Sequence, residues 1–123
     1  MRVRRLTRQT DIERVQREGQ AYHAASFVML TARADERVVR VGVVAGKRVG
    51  NAVKRNRAKR LLRAGLRSLY PNIASGWDIL LLARPSILEA NSMQVQAALE
   101  RLLNKAHLIV ASLEDDQDQH NKT

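Results

Sequence analysis

The chain contains no cysteine, which excludes a disulfide framework and thiolate metal sites and agrees with a reducing compartment. Aromatic residues make up only 3%: Tyr22, Phe27, Tyr70 and Trp77. A core must therefore be built from Leu, Val, Ile and Ala, and the 45% hydrophobic content is enough to supply one. The longest apolar run, Ile79 to Ala83, is far short of the ~20 residues that a membrane span requires. The start, Met1-Arg2-Val3-Arg4-Arg5, is basic but leads into no apolar stretch, so no signal peptide is expected and the cytoplasm is the expected location. Proline and glycine are sparse and mark no linker, and no internal repeat is visible. The length of 123 residues fits one domain, read here as residues 1–113, followed by an acidic, disordered tail over 114–123.

Acid is missing where it would matter most. Between Lys47 and Arg67 there is no Asp or Glu, but there are nine basic residues: Lys47, Arg48, Lys54, Arg55, Arg57, Lys59, Arg60, Arg63 and Arg67. The net charge is +10, and the tail from Glu114 to Thr123 hides part of the imbalance: without its four acids and one lysine, 21 basic residues face 8 acidic ones, or +13. A cluster of this kind generates a strong positive field whose natural partners are polyanions.

Catalytic signals are absent as well. His23, His107 and His120 are far apart, with no metal-ligand spacing. Gly46 to Gly50 lacks the Lys-Ser/Thr that a phosphate-binding Gly-X-X-X-X-Gly-Lys loop requires. No set of carboxylates or histidines suggests acid–base or metal-assisted hydrolysis by the protein itself, so no catalytic or metal-ligating residue is assigned. No small-molecule substrate and no membrane partner are expected.

The pattern along the chain predicts helix, strand, strand, helix, strand, helix, an α/β (α+β two-layer) domain with a small central sheet covered by helices. Thr10-Asp11-Ile12-Glu13 matches a capping box for the first helix, and Gly19 is placed to end it. Residues 25–32 and 38–45 read as strands that pair as an antiparallel hairpin across the polar residues 34–37, and 20–23 is a weak further strand. Asn51 can cap a helix from about Ala52 to Tyr70, Trp77 to Ala83 reads as a strand, and Asn91 or Ser92 can cap a last helix reaching Leu113. On a helical wheel, Ala58, Leu61, Leu62, Gly65, Leu66 and Leu69 fall on one face of the second helix, and Asn56, Arg60, Arg63 and Arg67 fall on the other. Its Ala, Gly and Leu face is sized for packing on a sheet, not for the large apolar anchors of a membrane-surface helix. A helix that was basic only for solubility would alternate charge signs. The remaining reading is a rigid array of guanidinium forks suited to phosphates.

The stretch Gly42-Val43-Val44-Ala45-Gly46-Lys47-Arg48-Val49-Gly50-Asn51-Ala52-Val53-Lys54-Arg55-Asn56-Arg57-Ala58-Lys59-Arg60-Leu61-Leu62-Arg63 closely resembles the signature of the bacterial ribonuclease P protein subunit, centred on Arg55-Asn56-Arg57. Leu6-Thr7, the short first helix and Ile79 to Arg84 extend the likeness over about residues 3–107. The resemblance implies a left-handed β-α-β crossover through the Arg-Asn-Arg helix. It implies a noncatalytic subunit of a tRNA-maturing endoribonuclease, which assists removal of the 5′ leader from precursor tRNA. In this reading the catalytic RNA is the main partner and carries the chemistry with Mg2+ held mainly by that RNA. It also implies RNA contact through Lys47, Arg48, Lys54, Arg55, Asn56, Arg57, Lys59, Arg60, Arg63 and Arg67. A leader cleft between the first helix and the sheet would involve Ile12, Gln16, Phe27 and Leu30. The family commonly has aromatic residues in that cleft and serines on the strand leading to the motif; the matching positions here are Ile12, Gln16 and Leu30, and Val44 and Gly46. A ribosomal or ribosome-assembly protein is the alternative that the charge and fold class alone would allow, and an independent nuclease is the third.

Overall fold

In the computed structural model, which describes residues 3–34 and 37–110, five strands form one sheet. These are β1 (Val3–Arg5), β2 (Gln20–His23), β3 (Phe27–Arg33), β4 (Val39–Val44) and β5 (Trp77–Ala83), in the order β1-β4-β5-β3-β2. The helices are α1 (Gln9–Glu18), α2 (Ala52–Arg67) and α3 (Ser92–Lys105). The expected α/β class with a small central sheet is borne out, and helices on both faces add a third layer to the two expected. Short 3₁₀ turns follow α2 and β5.

The centre of the sheet belongs to β5, because it is apolar in both directions. Ile79 and Leu81 point to one face and Leu80 to the other, and all three are fully buried. β5 runs parallel to β4 and antiparallel to β3. The expected hairpin between the second and third strands is therefore corrected: β3 and β4 are never neighbours, since β5 lies between them. Their short connection is held by the β5 approach, where Ala34 N–H donates to the Gly76 carbonyl (2.9 Å) and Gly76 N–H donates to the Val38 carbonyl (3.0 Å). Gly76 adopts φ 86° there, a conformation open to glycine. The 20–23 strand is present as β2 on the β3 edge. β1 was not anticipated; three residues with no apolar alternation carry no strand signal, and it pairs in parallel with β4.

A parallel β4–β5 pair needs a crossover connection, and α2 supplies it. Asn51 caps it as expected, its Oδ1 accepting from Lys54 N–H at 3.0 Å. Ala58, Leu62, Gly65 and Leu66 are its buried residues. Gly65 is required by close approach: a Cβ there would lie 2.6 Å from Val95 Cγ1 of α3. α3 is capped by Asn91 in a reciprocal box with Gln94 and packs through Val95, Leu99, Leu102 and Leu103. It ends at Lys105, not near Leu113: His107 takes φ 60°, and the chain turns back so that Ile73 and Ile109 form a bridge. Leu113 and the acidic tail lie outside the described residues.

The opposite face of the sheet carries α1. Its capping box does not form: the helix begins at Gln9 after Arg8, with no side-chain cap. Glu13 accepts from Gln9 Nε2 at 3.1 Å, and the Asp11 carboxylate meets Arg40 on β4 at 3.3 Å. Gly19 does end α1, in extended conformation, where a Cβ would lie 2.4 Å from the Val15 carbonyl oxygen. Val15 packs with Leu6, Leu30, Ala32 and Leu80.

A buried charge cluster pins α1 down. Asp78, at the start of β5, is fully buried. Arg40 donates to it through Nε (2.7 Å) and Nη2 (2.6 Å), and Arg14 of α1 donates through Nη2. Arg14 also reaches the Arg33 carbonyl at 3.3 Å. Removing the carboxylate would strand two guanidiniums partly out of water. Asp78→Ala is therefore expected to cost ~3–5 kcal/mol, read as a fall in the denaturation midpoint, with an unchanged midpoint ruling out the cluster as an anchor.

Candidate nucleic-acid interface

The basic cluster occupies one continuous surface. Lys47 and Arg48 stand on the turn between β4 and α2, which closes with Gly50 N–H donating to the Lys47 carbonyl at 3.1 Å. Gly50 has φ 141°, and a Cβ there would meet Lys54 Cδ at 2.6 Å, so this turn too needs glycine. Of the ten residues expected to meet RNA, Lys47, Arg48, Lys54, Asn56, Arg57, Arg60, Arg63 and Arg67 are exposed; Arg55 and Lys59 are half-buried at the helix flanks. The faces of α2 fall as the wheel placed them, since Leu62 and Leu66 are fully buried. Among the described residues no carboxylate pairs with any α2 side chain. The helix thus holds its cations apart at fixed spacing, with no internal counter-charge, and a polyanion is what would relieve their mutual repulsion.

Of the four residues expected in a cleft, Ile12 and Leu30 meet at the small core under α1, but the four do not form one site. Ile12 is half-buried and Gln16 exposed on α1. Leu30 faces α1 but is covered by it, packed with Leu6, Val15 and Leu80. Phe27 is corrected outright: it is fully buried in the core on the α2 and α3 side. Strand alternation requires this, because Phe27 and Leu30 are three positions apart and cannot share a face. The rule was available in the sequence, and it selects Val28 as the neighbour of Leu30 on the α1 side.

Val28 does lie there, half-buried with Val44, Leu82 and Ile12 around the smaller core cluster. Beyond α1 this apolar floor opens into a cavity of about 360 Å³, whose walls include Val28, Leu82, Arg48 and Arg84. Arg84 Nη2 lies 3.0 Å from His23 Nδ1, while its buried Nε has no hydrogen-bond partner. Arg48 belongs both to this cavity and to the basic surface, so the two are continuous. Neither Arg84 nor Val28 was singled out by sequence reasoning. Arg84 follows the end of β5, and only the sheet order brings it within reach of His23 on β2, across β3.

The ribonuclease P family pattern matches residues 1–107. The ribonuclease P protein component of Roseiflexus castenholzii is 36% identical over 119 residues, covering 96% of this chain and 98% of that one. The corresponding protein of Chloroflexus aggregans is 38% identical over 109 residues, covering 88% of this chain and 81% of its own. Among solved structures, the Staphylococcus aureus RNase P protein matches with a TM-score of 0.75 at 28% identity, over 85% of this chain and 96% of that one. The RNase P protein from Thermotoga maritima matches with a TM-score of 0.73, also at 28% identity, over 82% and 96%. Sequence and fold agree along almost the whole described length, and the chain belongs to the ribonuclease P protein family.

Proposed function

We propose that this chain is the RNA-binding protein subunit of ribonuclease P, that it binds the enzyme's RNA through the outer face of α2 and the Lys47–Arg48 turn, and that it assists removal of the 5′ leader from precursor tRNA. The observation that carries this is the unneutralised basic face of α2 standing opposite a fully buried apolar face. A ribosomal protein would share the charge, but the family match and the Arg55-Asn56-Arg57 context favour ribonuclease P.

The chemistry in this proposal is the RNA's. Among the described residues no group of three or more His, Asp or Glu is placed to hold a metal ion. In this proposal the Mg2+ that the family implies is held mainly by the RNA partner. The protein's share is electrostatic and geometric. Arginine forks fix phosphates in register, and a rigid helix lowers the ordering cost of binding. Single-stranded leader would run over the Val28, Val44 and Leu82 floor, with Arg48 and Arg84 at its sides as phosphate donors. With no aromatic side chain on that floor, apolar contact replaces base stacking.

Three outcomes test the proposal. Precursor tRNA cleavage should be stimulated by the protein only when a bacterial ribonuclease P RNA is present, most visibly at low Mg2+; cleavage by the protein alone would overturn the assignment. Binding to that RNA should fall steeply with salt. If about six phosphates are neutralised, the log–log slope is roughly −4 to −5, and Arg60→Ala, Arg63→Ala and Arg67→Ala together should flatten it while leaving the circular dichroism spectrum intact. Finally, Val28→Tyr should restore a stacking platform and tighten binding of leader-bearing substrate by up to ~1–3 kcal/mol per base, with no gain for substrate lacking a leader. Leu30→Tyr should instead overpack the space beneath α1 and lower stability by ~1–3 kcal/mol. Equal behaviour of the two variants in leader binding would mean that the leader does not cross this floor.

A further inference from the structure

A second basic concavity lies at the opposite end of α2. β1 pairs with β4 only as far as Arg5 opposite Val41, whereas β4 continues to Val44. Leu6 is still tied to the sheet, its N–H donating to the Val41 carbonyl at 2.9 Å, and the chain then leaves toward α1. That departure opens a cavity of about 370 Å³ between the sheet edge and the last turns of α2. Arg4 and Arg5 line it from β1, Arg63 and Arg67 from α2, and Thr7 and Tyr70 bring hydroxyl groups. No carboxylate lines it, and Val41 and Val43 give it an apolar floor.

The register sets Arg5 on the same face of the sheet as Val41, which is the α2 face. Arg5, Arg63 and Arg67 therefore converge around Tyr70. Burial pushes the Tyr70 phenol above its ordinary value, and the same three guanidiniums pull against that rise. The phenol is thus an O–H donor at neutral pH, set among positive charges.

We propose that this cavity is a phosphate site for a nucleotide bearing a terminal, doubly charged phosphate, with Arg5, Arg63, Arg67 and the Tyr70 hydroxyl donating to its oxygens and the apolar floor taking the sugar. The charge balance selects the terminal group. A bridging phosphodiester has one negative charge and is matched by one or two forks, as along the outer face of α2. Three guanidiniums, those of Arg5, Arg63 and Arg67, converge on this one cavity, and a phosphate monoester brings about −1.5 to −2 at pH 7. The C-terminal end of α2 opposes an anion, but with only roughly half a charge. The site does not depend on the proposed RNA subunit role, and its test contains no ribonuclease P RNA.

The test is calorimetric titration of the intact protein at fixed ionic strength. The probes are adenosine 5′-monophosphate, adenosine, and a diadenosine dinucleotide whose only phosphate is internal. The monophosphate should bind saturably and the other two should not, and binding should be tighter near pH 7.5 than near pH 5, across the phosphate's second ionisation at about 6. Arg67→Ala and, separately, Tyr70→Phe should each weaken it by roughly tenfold, the loss of one hydrogen bond to a charged group. Arg57→Ala removes the same charge outside the cavity and should leave the affinity within about twofold. Equal losses for Arg57→Ala and Arg67→Ala would reduce the site to diffuse attraction and overturn it, as would equal binding of the dinucleotide. A short RNA with and without a 5′-phosphate separates the two sources of the group. A phosphate-dependent gain over the mononucleotide, lost in Arg67→Ala, assigns the site to RNA ends; binding of the mononucleotide alone assigns it to free nucleotides.

Discussion

A carboxylate with no exposed surface sits between two guanidiniums, one from β4 and one from α1. Taking Asp78 out of water costs several kcal/mol, and only close, well-directed partners offset that. Arg40 meets it with two donors, and Arg14 reaches across from the helix. The cluster therefore fixes where α1 crosses the sheet. With α1 held at the Asp78 end, Leu30, Leu80 and Val15 close into a small core. The sheet beyond, around Val28, Val44 and Leu82, is left uncovered as a floor. The groove and the anchor are two ends of one arrangement.

On the other face the constraint is distance rather than charge. α2 must bridge two adjacent parallel strands while packing against α3, and Gly65 lets it come close enough. A helix so held cannot rotate to bury its arginines or to bring an acid near them. The repulsion along its outer face is stored in the folded state and is available to whichever anion relieves it.

Much of this was legible in the sequence. The wheel placed Leu62 and Leu66 inside and Arg60, Arg63 and Arg67 outside because a 3.6-residue period with two clean faces has one solution. Asn51 and Asn91 announced their helices because a cap is a local interaction. Residues 77–83 were bounded by breakers on both sides. The capping box of α1 failed locally: the helix starts at Gln9, so Thr10 lies inside its first turn and Glu13 accepts from Gln9 Nε2 at 3.1 Å. Most of the other failures were non-local. The hairpin of β3 with β4 failed because a short polar connection also suits two strands that leave a gap for a third. Phe27 was assigned to the wrong side by chemical type, although the alternation of the strand already excluded it. His23 and Arg84 could be joined only by the sheet order.

That order also governs how the chain can assemble. β2 and β3 are close in sequence and can pair as soon as both exist. β3 and β4 cannot complete each other; both wait for β5, which follows the entire cationic helix. β1, the first strand made, likewise has no partner until β4 is in place. Contacts of such long sequence separation repay their loop-closure entropy late, so sheet formation is slow relative to local helix growth. Through that interval the apolar edges of β3 and β4 stand open on a chain that already carries the whole cationic helix, and the self-repulsion of that charge works against one nascent copy pairing with another.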